Sequence, residues 1–533
     1  MHSPDPSADI NNSRSERKPW TTLILIGLAQ FMVILDITVV NVALPSIAED
    51  LAFPEGDLQW VITAYVLFTG GLLLLGGRAT DLFGRRRVFL AGLTIFTLAS
   101  LGCGLAASGG HLIAFRALQG VGAALLMPGT LSILTVTFPP EERARAIGLW
   151  AGVSGLALAL GPTLGGYVVE HLGWPSVFFI NVPIGAVAFT VALRTVRESR
   201  SEQTRRLDLP GLALGTGGLT ALTYGLIEAN QLGWGDPTIV SSLVLAAVLL
   251  VGFVVWEHRS DHPMMPLGFF RIPAFSAGNT VAFSVSLGMF SIFLFVTLYM
   301  QSIRSYTPFQ SGLRFLPMTL AIVVTAPNAG RVAQRLGARG PMTYGLTLAS
   351  LGLLGLTFVG ADTPYWILAI LFLFMGHGIG STMAPMTATV MGAVGPQRAG
   401  LGSAMTNTSR EVGGVVGIAL LGTVLFDRLT SVLAPRLGDL GLTGGQARAV
   451  ASASSHGFVS PVELSALGLS GEQTTGFLRA FQEAYMSGFH LALLIAALFL
   501  MAAAVVANRF IPGRAHAEEI HAAAAERVAV AVE

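Results

Sequence analysis

The chain has 533 residues, of which 53% are hydrophobic and only 11% are charged, against about 25% charged in ordinary soluble domains. With 31 basic and 30 acidic residues the formal net charge is +1, which leaves no basic footprint for nucleic acid. The lone Cys103 excludes an intramolecular disulfide and any multi-cysteine metal or iron–sulfur centre. Apolar runs spread evenly from Thr21 to Val506, which rules out a soluble domain with a few anchors and predicts an all-α polytopic membrane protein. The basic residues are nearly all arginine and alanine and glycine are abundant, a composition that hints at a GC-rich bacterial genome.

A helix needs about 20 apolar residues to cross a hydrocarbon core of roughly 30 Å. Fourteen segments meet that need: 21–45, 59–77, 87–108, 111–135, 145–169, 174–194, 208–229, 237–256, 272–301, 312–333, 341–360, 364–390, 402–427 and 486–508. The first keeps Asp36 inside it and lacks a small-residue cleavage pattern, so it reads as a span and not a signal peptide. Placing the N-terminus in the cytoplasm puts Arg14, Arg17, Lys18, Arg78, Arg85, Arg86, Arg87, Arg143, Arg145 and most other arginines inside. The short outward loops then carry only Arg304, as charge bias demands, and both termini are cytoplasmic.

The expected layout follows in chain order. A cytoplasmic tail (1–20) leads to a six-helix bundle (21–194), then a linker with two additional central helices (195–271). A second six-helix bundle (272–508) contains a long outward loop (428–485), and a cytoplasmic tail (509–533) ends the chain. The outward loop holds the apolar fragment Phe458–Val462 and a short helix near 472–484. "GGRATDLFGRRR" at 76–87 and "AGRVAQRLGARG" at 329–340 each follow the second helix of a bundle, a sign of internal repetition of the kind that builds secondary transporters around a central site. One chain supplies both bundles, so a functional monomer is expected. His516 and His521 are too isolated to form a metal site, and no G-x-x-x-x-G-K loop or nucleophile–base set is present, so an enzyme is not expected.

Asp36 lies past the middle of the first span. A carboxylate in lipid costs several kcal/mol and is usually functional or buried against a partner; it can carry the coupling proton, attract a cationic substrate, or serve as a structural acceptor. Asn41, about 140° further round the helix, reads as an interhelical hydrogen-bonding group or substrate wall, and Pro45 as the helix end. Arg116 lies about 7 Å inside the outer end of span four. Being permanently charged, it must pair, snorkel or line water, and it is a candidate to tune a nearby carboxylate, with Gln119 and Gly120 beside it. Glu228, Arg410 and Glu411 are further intramembrane candidates for proton or substrate. Adjacent residues face different directions, so Arg410 and Glu411 are not expected merely to pair with each other.

Asp81, with Gly84, Arg85 and Arg86, can form an inner latch through ion pairs or a neighbouring helix N-terminus, although arginines there also follow from topology alone. Gly161, Pro162, Gly165 and Gly166 predict a kinked, closely packed stretch of span five, an outer-gate hinge or ordinary packing. Asn407, Met289, Phe290, Phe293 and Tyr299 could line an apolar substrate wall, as could any lipid-facing helix.

Taken together these motifs resemble those of the fourteen-span drug:proton antiporters of the major facilitator superfamily. Asp36 to Pro45, "DITVVNVALP", is similar to the family's first-span signature, and "GGRATDLFGRRR" to its loop between spans two and three. "RALQG" from Arg116 to Gly120 resembles the fourth-span motif tied to proton coupling. "GPTLGG" from Gly161 to Gly166 resembles the antiporter motif, with Ala157 where another glycine is usual, and "NTSREVGG" from Asn407 to Gly414 resembles span thirteen. The late inner loop departs from the pattern, with Gln334 where an acid is expected. The resemblance implies a major-facilitator fold in the bacterial cytoplasmic membrane. It also implies export of lipophilic, often cationic drugs, antibiotics or dyes, driven by the proton gradient without a cofactor. A narrow natural substrate, such as an endogenous antibiotic, lipid or metabolite, is the alternative.

Overall fold

The computed structural model describes residues 19–51, 58, 60–200, 208–260, 263, 265–394, 398–439, 450 and 471–513. Most of the first tail, residues 201–207 of the linker, most of the 440–470 stretch with Phe458–Val462, and the tail with His516 and His521 lie outside the described residues.

The described residues contain helices and no strand, because a chain this apolar must satisfy its backbone groups within each segment when it leaves water. The long helices are α1 (Pro19–Asp50), α2 (Trp60–Phe83), α3 (Arg85–Gly104), α4 (Gly109–Thr137), α5 (Pro140–Leu172), α6 (Ser176–Thr195, interrupted at Ile180), α7 (Leu209–Leu232) and α8 (Pro237–Arg259). They continue as α9 (Pro273–Leu298, ending in a π turn Tyr299–Ile303), α10 (Leu316–Leu336), α11 (Arg339–Leu356), α12 (Tyr365–Val394), α13 (Ala399–Asp439) and α14 (Gly471–Phe510). A short helix, Pro308–Arg314, precedes α10. Each of the fourteen apolar segments falls on one of these helices, and ten of the helices among the described residues are long and apolar enough to cross a membrane.

Local chemistry sets the boundaries. Ser108 accepts a hydrogen bond from the His111 amide to start α4, Asp208 from Gly211 to start α7, and Asp236 from Thr238 to start α8, each satisfying a donor that the first turn leaves free. Gly84 breaks α2 from α3 at φ +105°, a conformation in which a side chain is strained.

Three expectations are corrected. Pro45 does not end α1, which runs on to Asp50, where the Trp174 indole donates to the Asp50 carboxylate at 2.8 Å. The expected 428–485 loop is in part the ends of two long helices, α13 and α14, joined by an Arg436–Glu483 ion pair and by Arg428 donating to Ser487 at 3.0 Å. The short helix expected near 472–484 is simply the start of α14. Charge and glycine content made these stretches read as loop, but the packed aromatic run Phe477, Phe481, Tyr485 and Phe489 carries the helix on.

Packing repeats itself. In the first half α1 packs on α4, α5 and α6, α2 on α4, α3 on α4 and α6; in the second, α9 packs on α12, α13 and α14, α10 on α12, and α11 on α12 and α14. Shifting each helix number by eight converts one pattern into the other. Pro128 within α4 and Pro385 within α12 occupy corresponding places. The halves meet along two related seams, α2 on α13 and α10 on α5. Helices α7 and α8 have no counterpart in the repeat; they pack on each other, and α7 also lies against α2 and α13.

Candidate functional site

The space enclosed by α1, α3, α4 and α6 is polar and sealed. Asp36, Ser100, Arg116, Gln119 and Asn181 are all at most 2% exposed. The Asp36 carboxylate accepts from Arg116 Nη1 at 2.5 Å, Gln119 Nε2 at 2.8 Å and Asn181 Nδ2 at 2.9 Å. Gln119 Nε2 also donates to Ser100 Oγ at 2.7 Å, and its Oε1 accepts from Arg116 Nη1 at 2.6 Å. Arg116 Nε donates to the Val61 carbonyl at 2.8 Å, and the guanidinium stacks over the Tyr65 ring at 4.2 Å from its centre. Charged hydrogen bonds and a ring face thus replace the water that a buried ion pair loses.

Each of the three side chains bonded to Asp36 is a donor. A protonated Asp36 carries a hydroxyl that needs an acceptor among these partners. The Asn181 carbonyl oxygen is buried and unpartnered, and turning that amide over would present it to such a hydroxyl, since the two ends of an amide are nearly alike in shape. The Asn181 amide therefore has two orientations toward Asp36, one offering a donor and one an acceptor.

Other candidates converge at the end of the bundle that carries Asp81. Its carboxylate is 1% exposed and accepts from the backbone amides of Gly400 at 3.0 Å and Leu401 at 2.9 Å, the first turn of α13, while Arg85 stands 3.5 Å away. An anion at a helix start is favoured by the helix dipole, and here the contact joins the two halves. A Cβ on Gly77 would collide with Ala404 and with the Gly400 carbonyl, so glycine permits this close approach. Arg85 also donates to Ser132 at 2.9 Å and Ser199 at 3.2 Å, and Arg86 to the Leu193 carbonyl at 2.8 Å. Glu198 accepts from the amides of Arg86 and Arg87, both at 3.2 Å, at the start of α3 beside Gly84.

Gly161, Gly165 and Gly166 face α1: a Cβ on Gly161 would collide with Thr38, one on Gly165 would come 3.0 Å from Val39, and one on Gly166 4.0 Å from Val42. The close approach is therefore to the helix that holds Asp36, within the same half. Pro162 lies in α5, and its side chain is outside the described residues. Gly161→Ala is expected to destabilise the purified protein by about 1–3 kcal/mol through overpacking, with partial recovery when Thr38→Ala is added; thermal unfolding of the three proteins checks this.

Residues 26–418 match the Major Facilitator Superfamily. The chain belongs to that superfamily. It is 34% identical over 494 residues to the tetracenomycin C resistance and export protein of Streptomyces glaucescens, covering 92% of this chain and 91% of that one. It is 42% identical over 410 residues to the puromycin resistance protein pur8 of Streptomyces alboniger, covering 76% and 81%. With the multidrug resistance protein Stp of Mycobacterium tuberculosis it shares 39% over 417 residues, 78% of each chain. The solved proton:xylose symporter XylE, 11% identical, superposes with a TM-score of 0.61 over 93% of this chain and 96% of its own, and has the same fold. The superfamily is one of transporters, so this chain is a multi-pass membrane transport protein and not an enzyme.

Within this superfamily fold the remaining candidates are dispersed. Arg410 and Glu411 are half-buried on α13; each lies in the other's field, and Glu411 also lies within electrostatic range of Tyr65, the ring that covers Arg116. Asn407 is buried and donates to Ser403 at 3.4 Å, on its own helix. Asn41 is exposed and donates to the Ile37 carbonyl of its own helix at 2.9 Å, in place of the expected interhelical bond. Glu228 is buried on α7, one turn beyond Tyr224, whose ring meets Trp60 of α2, and it is not part of the Asp36 network.

Of the aromatic and methionine candidates, Tyr299 donates to the Gly360 carbonyl at 2.9 Å and stacks on Phe489, and Phe293 packs on Phe315. Phe290 faces Gly414 of α13. Met289 lines a small apolar cavity with Val285, Leu346, Leu353, Met375 and Leu500. That cavity lies among α9, α11, α12 and α14, the counterparts of the helices around Asp36. The first half is thus charged at its centre where the second is apolar.

Sequence reasoning missed Asn181, Ser100, Tyr65 and Glu198. Asn181 carried the clearest signal, a lone amide in an apolar run. It also missed Gly148, Gly152 and Gly155, which bring α5 against Ala326, Val323 and Ile322 of α10 across the second seam.

Proposed function

We propose that this transporter exports lipophilic, often cationic drugs or antibiotics across the bacterial cytoplasmic membrane in exchange for protons, by alternating access. In this reading all fourteen helices cross the bilayer, both termini are cytoplasmic, and the Asp81 end is the inner gate. Residues 21–194 and 272–508 form the two moving bundles around the α7–α8 pair, and one chain suffices.

The buried Asp36–Arg116 pair carries the proposal: it is a protonatable group paired with a fixed cation inside the transporter, beside an Asn181 amide that can offer it a donor or an acceptor. Ionised Asp36 is locked in its network when substrate binds from the inside. After the carrier turns outward, an external proton neutralises Asp36, frees Arg116 to relax toward Gln119 and Tyr65, and shifts the population back. Glu411, on the second half and within electrostatic range of Tyr65, is a candidate to meet a cationic substrate while sensing the charge on the pair. The membrane field adds about 2.3 kcal/mol per elementary charge per 100 mV.

The names of the tetracenomycin and puromycin relatives support a second reading, export of one antibiotic. Both are tested by purified protein in proteoliposomes with ethidium and an imposed pH gradient. Proton-driven accumulation of the dye against its gradient is expected. No dye movement under either a pH gradient or a membrane potential would overturn broad export and leave the single-antibiotic reading.

A further inference from the structure

The α7–α8 pair looks like filler between two halves, yet two of its acidic residues are buried against the transporter. At the Asp81 end, Asp208 opens α7 and Glu257 closes α8, at 8% and 3% exposure. A Cβ on Gly211 would stand 2.7 Å from Asp208 Oδ2 and 2.8 Å from Glu257 Oε1, so the two carboxylates converge on one glycine. Asp208 accepts from the Trp256 indole at 2.9 and 3.0 Å and from Ser260 at 3.4 Å. Glu257 accepts from the Met265 amide at 2.9 Å, which fastens the connection that leads to α9.

Two carboxylates brought this close call for cations. Arg78 of α2, three residues before Asp81, lies in the field of Asp81, Asp208, Glu257 and Arg398 together. Arg398, immediately before α13, stacks over Phe269 of the same connection at 5.4 Å. An apolar cluster underlies the charges: Leu74 of α2, Leu219 of α7, Phe253 of α8 and Met265 pack with Leu401 and Ala404 of α13. Leu401 is one of the two residues whose amides hold Asp81. The extra pair therefore touches both sides of the latch, α2 through Leu74 and the start of α13 through Leu401 and Ala404.

We propose that the α7–α8 pair is a brace on the inner gate, with Asp208 and Glu257 as positioning residues that fasten the inner ends of α7 and α8 and the Met265 connection against α2 and the start of α13, and so hold the Asp81 latch in the closed arrangement. Opening the inner mouth then requires α2 and α13 to part from each other and at least one of them from the brace. The two extra helices thereby set how often an otherwise two-bundle carrier faces inward. This rests on reading the Asp81 end as the inner gate, but not on any particular substrate.

The test measures gate opening without transport. Ser403, fully buried near the start of α13, is replaced by cysteine in the full chain, and a membrane-impermeant maleimide is applied to inside-out vesicles; buried Cys103 supplies the background, read from protein without the reporter. Glu257→Gln is expected to speed labelling about tenfold, as loss of one partner of a buried charged cluster shifts a two-state element, and Trp256→Phe, which removes one donor to Asp208, by less. Asp81→Asn is the positive control for an open latch. Unchanged labelling in Glu257→Gln and Trp256→Phe, with fast labelling in Asp81→Asn, would overturn the brace while leaving the transporter reading intact. No acceleration in Asp81→Asn either would overturn the gate assignment itself. Should Glu257→Gln lower the unfolding temperature, Trp256→Phe at an unchanged unfolding temperature decides the matter.

Discussion

Asp36→Asn is expected to abolish proton-driven accumulation of ethidium in proteoliposomes, to the level of protein-free vesicles, while slow downhill equilibration of the dye persists. The asparagine keeps one acceptor oxygen for Arg116, Gln119 or Asn181, so the network is weakened but not emptied, and the protein is expected to remain folded. What it loses is the ability to exchange a proton. An imposed pH gradient with and without the substitution, at matched protein content, checks this. Full retention of uphill transport would move the coupling to another acid, of which Glu411, within electrostatic range of Tyr65, is the next candidate.

The largest stability effect is expected at Arg116. Arg116→Met leaves the Asp36 carboxylate buried without its cation, a loss of about 3–5 kcal/mol for a pair of this kind. It also uncovers the Tyr65 ring and removes the hydrogen bond to the Val61 carbonyl. Adding Asp36→Leu removes the stranded charge, and the double variant is expected to recover most of the lost stability while remaining unable to couple transport to protons. Thermal unfolding of the wild type, both single variants and the double variant gives the interaction energy directly. A double variant as unstable as the sum of the two singles would show that the two side chains act independently, contrary to the 2.5 Å contact.

Asp36 and Arg116 show what the sequence could and could not reveal. Each stands out alone, because a charge in an apolar run must have a reason. That they meet could not be read from a separation of 80 positions, since any of several helices might have supplied the partner. Asn181 gave a weaker signal than either charge, because a neutral amide costs less in a membrane helix than an ion does. The helices themselves were legible because hydrophobic length is the signal the bilayer imposes. Helix ends were not: Pro45 reads as a stop, yet α1 continues, because inside a bundle neighbouring groups can compensate for a proline. Asp208 and Glu257 were invisible for the opposite reason, lying at the ends of spans where charged residues are ordinary.

On the proposed topology the long ends of α13 and α14 stand outside the bilayer, with a practical consequence. At about 1.5 Å per residue, 428–439 alone extends α13 by roughly 18 Å, and the Arg436–Glu483 and Arg428–Ser487 contacts lock it to its neighbour. Small transporters are hard to image by electron cryomicroscopy because detergent or lipid hides nearly every feature by which particles can be aligned. Here the chain supplies its own rigid fiducial, and an antibody fragment raised against the paired helices would enlarge that mark without touching the substrate path.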